Sequence, residues 1–251
     1  MKLLLEKGVD VNAKGGKYEN ALQAASHIGN EAIVKLLLEK DVDVNAKGGQ
    51  YGNALQTASY LGYDAIVKLL LEKGVDVNAE GGKYGNALQA ASLSSNEAIV
   101  KNLLENSADV NAKGGEYGNA LQAASFWGNE EIVKLLLEKG ADVNEKGGVY
   151  GNALQAASFW GNDEIVKLLL EKGVDVNAKG GEYGNALQAA SYGGNEAIVK
   201  LLLEKGVDVN AEGGKYGNAL QAASYNVNEV IVELLLEYGA EINPEESEYG
   251  V

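Results

Sequence analysis

Asn119-Ala-Leu-Gln-Ala-Ala-Ser-Phe-Trp-Gly-Asn-Glu-Glu-Ile-Val-Lys-Leu-Leu-Leu-Glu-Lys-Gly-Ala-Asp-Val-Asn144 spells out two helices together with the signals that start and stop them. Asn119 stands at a helix N-cap with Gln122 three residues later, where the glutamine side chain can reach back to the cap amide as in a capping box. A short helix begins at Ala120, runs through the small residues Ala123, Ala124 and Ser125, and ends near Gly128. Asn129 then caps a second helix, Glu130 to Lys139, whose Ile132, Val133, Leu135, Leu136 and Leu137 supply the apolar surface, and Gly140 is the left-handed stop. Glu130 precedes Lys134 by four residues, the favourable order for an ion pair worth ~0.2–0.5 kcal/mol on a solvated edge. Beyond the stop, Asp142-Val-Asn144 leads through Gly147-Gly148 to Tyr150-Gly151, a glycine-rich turn or finger.

The same unit returns along the chain. Tyr-Gly-Asn-Ala recurs every 33 residues, with its asparagine at Asn53, Asn86, Asn119, Asn152, Asn185 and Asn218, and with Asn20 in the variant Tyr-Glu-Asn-Ala. The asparagine of Asp-Val-Asn keeps the same step at Asn12, Asn45, Asn78, Asn111, Asn144, Asn177 and Asn210, and Asn243 closes the series in Ala-Glu-Ile-Asn. A fixed period of this length marks one array in which each unit buries its apolar face on its neighbours. The expectation is an all-α solenoid of helix-turn-helix units with extended fingers, a single array over residues 1–251. Its partial unit 1–16, opening on Met1–Gly8 inside a second helix, is followed by full units at about 17–49, 50–82, 83–115, 116–148, 149–181, 182–214 and 215–247, and by a partial unit 248–251. The array is expected to curve, with fingers and first helices on its concave side.

This unit resembles the ankyrin repeat over essentially the full chain, in its period, its paired helices and the run Glu131–Asn144. Asn-Ala-Leu-Gln stands where that family usually has Thr-Pro-Leu-His, so a different residue keeps the cap and the helix-starting proline is gone; Pro244 is the only proline of the chain. The spelling Gly-Gly-x-Tyr-Gly-Asn-Ala-Leu-Gln-Ala-Ala-Ser is similar to the ankyrin arrays of fungal NOD-like receptors. The resemblance implies a recognition module that binds protein on its concave face.

Composition narrows the partners. Acidic residues outnumber basic ones, 36 to 21, for a net charge of −15, and every basic residue is lysine. Nucleic acid and acidic membranes both require a concentrated positive field, and arginine supplies the bidentate contacts that lysine cannot copy. The chain has no cysteine, which removes disulfides and thiolate metal sites, and no apolar run of the roughly 18 residues that a membrane-spanning helix needs. A cytoplasmic, monomeric protein without cofactor or metal is expected. Catalysis is not: His27 is the only histidine, and the serines that follow Ala-Ala recur as helix positions with no base beside them. Asp41-Val-Asp43-Val-Asn45 opens like a calcium loop, but Ala46 and Gly52 occupy the places that need glycine and glutamate. Gly81-Gly-Lys-Tyr-Gly85 lacks the spacing and the ending of a phosphate loop.

With units this similar, their differences carry the functional signal. Variation concentrates at the end of the first helix, in the pairs His27 and Ile28, Tyr60 and Leu61, Leu93 and Ser94, Phe126 and Trp127, Phe159 and Trp160, Tyr192 and Gly193, and Tyr225 and Asn226. Both phenylalanines and both tryptophans fall in this set, and large rings in a row are suited to anchor a partner. The partner-binding set is therefore His27, Ile28, Tyr60, Leu61, Leu93, Phe126, Trp127, Phe159, Trp160, Tyr192 and Tyr225, and the partner is a protein or peptide with basic and apolar residues. The other reading of these rings is that they stack between units and close gaps. The finger residue after Gly-Gly also varies, as Lys17, Gln50, Lys83, Glu116, Val149, Glu182 and Lys215, which suits a solvated tip that adjusts specificity. Tyr18, Tyr51, Tyr84, Tyr117, Tyr150, Tyr183 and Tyr216 do not vary and are assigned to structure. Two rival functions use the same features: a glycan or small-ligand binder stacking on the rings, and a structural or engineered solenoid with no selective partner.

Irregular units break the rules locally. Asp41 replaces the stop glycine, Tyr63 replaces the cap asparagine, and one unit carries Ser94, Ser95, Asn102, Asn106 and Ser107. Asn102 stands where other units are expected to bury a leucine, which should cost on the order of 2–4 kcal/mol locally from lost burial and unpaired polarity.

Overall fold

A computed structural model describes residues 10–241. The helix expected over Met1–Gly8, together with Asn243, Pro244 and the partial unit 248–251, lies outside the described residues. Among these residues the protein is all-α, with fourteen helices in seven pairs and no strand beyond isolated bridges within the fingers. The pairs are α1 Ala21–His27 and α2 Glu31–Leu38, α3 Ala54–Leu61 and α4 Asp64–Glu72, α5 Ala87–Leu93 and α6 Glu97–Glu105, and α7 Ala120–Trp127 and α8 Glu130–Glu138. They continue as α9 Ala153–Trp160 and α10 Asp163–Glu171, α11 Ala186–Gly193 and α12 Glu196–Glu204, and α13 Ala219–Tyr225 and α14 Glu229–Glu237. Contacts gather into two compact units, the first made of residues 10–124 and Asn129–Asp142, the second of Ser125–Gly128 and residues 143–241.

Every unit builds its core from the same letters. The leucine of Asn-Ala-Leu-Gln, the second alanine of Ala-Ala, and the middle leucine of the second helix are buried throughout, as in Leu55, Ala58 and Leu70 or Leu154, Ala157 and Leu169. Burying one such leucine contributes about 1.5–3 kcal/mol, so stability accumulates repeat by repeat. Asn102 corrects the expectation above. Its equivalents Leu36, Leu69, Leu135, Leu168, Leu201 and Leu234 are all half-buried, while the buried position next to it is filled normally by Leu103. The burial lost at Asn102 is therefore of order 1 kcal/mol. Its Nδ2, buried with no partner, adds a polar cost, and its Oδ1 accepts from Asn106 Nδ2 at 3.0 Å.

First-helix starts follow the sequence. Asn53 Oδ1 accepts from Gln56 N at 2.8 Å and Asn119 Oδ1 from Gln122 N at 2.8 Å, with the cap backbone of Asn53 extended. Both halves of the capping box close at Asn86–Gln89 and Asn218–Gln221. The glutamine amide has a further use. Gln56 Nε2 donates to the carbonyls of Ala79, Gly81 and Gly85 in the next finger at 3.0, 3.2 and 2.8 Å, and in the second unit Gln155 Nε2 donates to Ala178, Gly180 and Gly184 at 3.3, 3.1 and 2.9 Å. These finger carbonyls face the interior, where an unpaired acceptor costs free energy, so the glutamine replaces the water they lose.

Asparagines make the matching link on the other side of each unit. Asn78 Oδ1 accepts from Asp109 N at 2.8 Å while its Nδ2 donates to the carbonyl of Ser107 at 3.1 Å, and Asn210 repeats this on Glu241 N and the carbonyl of Gly239 at 2.9 and 3.0 Å. The aspartate of Asp-Val-Asn folds back on its own turn, as Asp76 Oδ1 does on Asn78 N at 3.0 Å. Second-helix caps divide into two kinds. Asn30, Asn96 and Asn228 cap their own helices through Ile33, Ile99 and Ile231 N–H groups. Asn129 does not, contrary to its sequence reading: its Nδ2 donates to the carbonyl of Ser92 at 2.8 Å, one repeat earlier. Asn162 and Asn195 likewise reach back to Ser125 and Ser158, each at 2.8 Å.

Close approach explains the glycine ahead of the cap asparagine. A Cβ on Gly85 would fall 1.8 Å from Gln89 Oε1 and 2.9 Å from the carbonyl carbon of Gly114, and its φ of +89° already excludes most side chains. Where a stop glycine is missing, the chain responds in two ways. Ser107 adopts the left-handed conformation regardless, at φ +66°, whereas at Asp41 the regular stop is lost and Val42 N bonds the Lys40 carbonyl instead of reaching back into the helix as Ala141 N does to Leu136.

Two outcomes check this account. Gln155→Ala removes the link to the finger at residues 178–184 and is expected to lower stability by about 1–3 kcal/mol, because the buried Ala178 carbonyl and the part-buried Gly180 carbonyl lose this donor while Gly184 keeps Gly180 N; urea unfolding and faster amide exchange across that finger report it. Val227 is β-branched, sits at φ +54° and is 80% exposed. Val227→Gly removes that strain with little loss of packing, and thermal unfolding should show a gain of about 1 kcal/mol.

Candidate protein-binding face

Each finger places its invariant tyrosine level with the variable ring at the end of a first helix. In the first unit the rings run Tyr18, His27, Tyr51, Tyr60 and Tyr84, with successive centroids 4.5, 5.6, 5.5 and 4.4 Å apart. In the second unit they run Phe126, Tyr150, Phe159, Tyr183, Tyr192, Tyr216 and Tyr225, at 4.9, 5.6, 4.6, 5.4, 4.4 and 4.9 Å. Finger ring and helix ring alternate, so invariant and variable aromatics form one ladder within each unit. All of these rings except Tyr225 are half-buried. The alternatives of a stacked filler and a presented surface thus coincide: the faces of the rings close gaps and their edges reach solvent.

In three repeats the residue after the variable ring is a large, exposed side chain. Trp127 and Trp160 are 56% and 52% exposed, and Ile28 69%. Trp160 stands edge-on to both Phe126 and Phe159, at 5.0 and 5.2 Å with interplanar angles of 71° and 79°, and Trp127 stands edge-on to Phe126 at 5.3 Å. Edge-to-face contacts of this kind are worth about 0.5–1.5 kcal/mol beyond burial and hold the indoles without covering them. Of the remaining positions singled out in the sequence, Tyr60, Leu61 and Tyr192 are half-buried, Tyr225 is exposed, and Leu93 is buried at 7%. His27 lies between Tyr18 and Tyr51 beside a small cavity that also touches Thr57, and its Nδ1 is buried without a partner.

Finger tips are solvated side chains on a tied backbone. Lys83 N donates to the Gln50 carbonyl and Glu116 N to the Lys83 carbonyl in the first unit; Glu182 N donates to the Val149 carbonyl and Lys215 N to the Glu182 carbonyl in the second, both at 2.8 Å. Their side chains pair sideways, Lys83 with Glu116 at 3.2 Å and Lys215 with Glu182 at 3.3 Å, while Lys17, Lys83 and Lys215 lie over Tyr18, Tyr84 and Tyr216. Exposed pairs of this type contribute little to stability. The Glu130–Lys134 pair read from the sequence is present at 2.6 Å, on the second helix.

Sequence reasoning missed the part the invariant tyrosines play in this face. Their identity in every unit signalled structure, and their position within the ladder emerges only when fingers and helix ends are brought side by side.

Among the described residues no group of three or more His, Cys, Asp or Glu is placed to hold a metal ion, and no helix is long and apolar enough to cross a membrane. Paired antiparallel helices at a fixed period, joined by glycine fingers and linked by side-chain amides from one repeat to the next, define a helical repeat protein. A family profile described as Ankyrin repeats (3 copies) matches residues 1–81, 78–147 and 153–246, and the chain belongs to the ankyrin repeat family. Its fold is similar to that of the human ASB11 ankyrin repeat domain, known from a crystal structure, with a TM-score of 0.74 at 24% sequence identity over 90% of this chain and 100% of that one. The search of curated proteins gives no match. Ankyrin repeats are in general protein–protein interaction modules.

Burial raises the pKa of the Tyr84 and Tyr183 phenols well above the ordinary tyrosine value, with a hydrogen bond donated by the Tyr84 hydroxyl to Tyr60 adding to the first and the charge of Glu182 to the second; burial and a hydrogen bond with Tyr192 raise Tyr216. A raised folded-state pKa means that the neutral phenol stabilises the fold fully below the unfolded value of ~10, and that this stabilisation is lost as pH rises through the folded value. Absorbance titration of the phenolates should therefore show a late-ionising class, and thermal stability should fall above pH ~10. A single ordinary tyrosine transition would show the ladder to be loose.

Proposed function

We propose that this chain is a non-catalytic recognition module that holds a partner polypeptide on the face made by its first-helix ends and fingers, with Trp127 and Trp160 as anchors. The observation that carries this reading is the exposure of both indoles on fixed supports. Each exposes more than half its surface while edge-on phenylalanine contacts limit its motion, so little side-chain entropy remains to be lost on binding. Exposed aromatic anchors on rigid supports are the usual source of binding energy in protein interfaces. Phe126 and Phe159 back them, Tyr192 and Tyr225 extend the surface along the second unit, and the finger tips Val149, Glu182 and Lys215 line its margin. The net charge of −15 favours a partner that sets lysine or arginine around an apolar segment, and would speed its association at low salt.

The test is capture of polypeptide partners by the parent chain and by a Trp127→Ala/Trp160→Ala variant, followed by calorimetry on any partner held. Both side chains are exposed, so the variant keeps its fold, which circular dichroism verifies. Loss of at least about 2 kcal/mol of binding is expected for a hot-spot pair. Equal binding by both proteins would remove the tryptophans from the interface and leave the structural-solenoid reading.

A further inference from the structure

The ladder of the second unit has a period of its own. Equivalent rings in successive repeats lie 5.9 Å apart from Tyr150 to Tyr183, 6.3 Å from Tyr183 to Tyr216, 5.9 Å from Phe159 to Tyr192 and 6.1 Å from Tyr192 to Tyr225. A polypeptide in β conformation rises ~3.3 Å per residue and returns a side chain to the same side every second residue, or about 6.6 Å. It would stay in step with the rings to within ~0.5 Å per repeat and keep one face toward them. A helix cannot keep both step and side. Its turn of ~5.4 Å falls short by about 0.6 Å at each ring, and because a turn takes 3.6 residues, stepping by four regains the length but turns the contact face by ~40° every time. Polyproline II, at about 9.3 Å per turn, is out of step altogether.

Charge recurs with the repeat as well as in the total. Three residues past Trp160 and Gly193 and four past Tyr225, the second helices of this unit open on Asp163, Glu196 and Glu229, one carboxylate per repeat. We propose, building on the protein-binding reading above, that the second unit receives a partner segment in extended conformation, laid along the ladder from Trp160 toward Tyr225. Apolar side chains at every second position rest on the ring edges, and lysine or arginine at intervening positions reaches round to the carboxylate row. Long basic side chains can make this turn because their stems lie along apolar surface while the charge stays wet.

Two synthetic peptides of about twelve residues test the proposal, identical in leucine, lysine and threonine content. One alternates leucine with polar residues, and its isomer sets leucine at helical spacing. Trp127 and Trp160, the only tryptophans of the chain, report binding by fluorescence. Calorimetry at about 0.15 M and 0.5 M salt separates apolar contact from charge attraction. The alternating peptide should bind at least about tenfold more tightly than its isomer. Trp160→Ala and Tyr225→Ala, exposed positions at the two ends of the path, should each weaken it at least about fivefold. Tighter binding of the helical isomer, still sensitive to Trp160→Ala, would overturn the extended conformation and keep the aromatic face. Weakening by only one of the two substitutions would show that the occupant does not run along the ladder, which also overturns the proposal. Insensitivity of both peptides to both substitutions would remove the extended-segment proposal and the aromatic face together.

Discussion

Within each compact unit, one amide in each first helix holds the next finger at its proper height. Where Gln56 or Gln155 donates Nε2 to finger carbonyls one repeat on, it satisfies acceptors that packing has removed from water and fixes the finger against the helix that precedes it. The rest follows from that fixing. The glycine ahead of the cap is required because a Cβ would strike the glutamine oxygen and the next finger's backbone, as at Gly85, and the second of each Gly-Gly pair because it would strike the preceding finger's backbone, as at Gly82. The asparagine links on the other side, such as Asn78 to Asp109 and Ser107, hold the end of the neighbouring second helix. Within each unit, repeats such as those of Gln56 and Asn78 or Gln155 and Asn177 are therefore tied to the next by neutral hydrogen bonds from side-chain amides.

Because the fingers are fixed, their tyrosines can be threaded between the helix-end rings. The separations of 4.4 to 5.6 Å along both ladders bring neighbouring rings into contact, so the rings are ordered by packing and all but Tyr225 are half-buried. Trp127 and Trp160 are added to this surface by edge-on contacts that leave their faces open. A surface assembled in this way would cost little further ordering if a partner bound it. It also divides by position: invariant tyrosines maintain the spacing, and the variable residues between and beyond them change what the surface presents.

The irregular repeats show how much deviation the array absorbs. Ser107 and Val227 take left-handed backbone without glycine, Tyr63 stands at a cap where it cannot accept a hydrogen bond, and its ring lies against Gly29 where a side chain would clash. Each is a local cost of order 1 kcal/mol in a chain whose core leucines are otherwise complete. Asn102 belongs to the same class, since the position it changes is half-buried and not part of the innermost row.

The sequence by itself determined the unit and its repetition: where helices start, at the asparagine caps; where they stop, at glycine or its substitutes; and which leucines form the core. These features depend on backbone geometry and on spacing within a few residues, which the order of letters specifies directly. Only the tertiary structure decided where the amides point and which rings touch. Gln122 and Asn129 each read as local caps, yet Asn129 turns to Ser92 in the preceding repeat, and the equivalents of Gln122 reach the following one. A side-chain amide has local and distant partners of similar strength, and the choice falls to whichever backbone group packing has deprived of water. The same holds for the ladder, because Tyr150 and Phe159 become neighbours only once the finger is folded down beside the helix end.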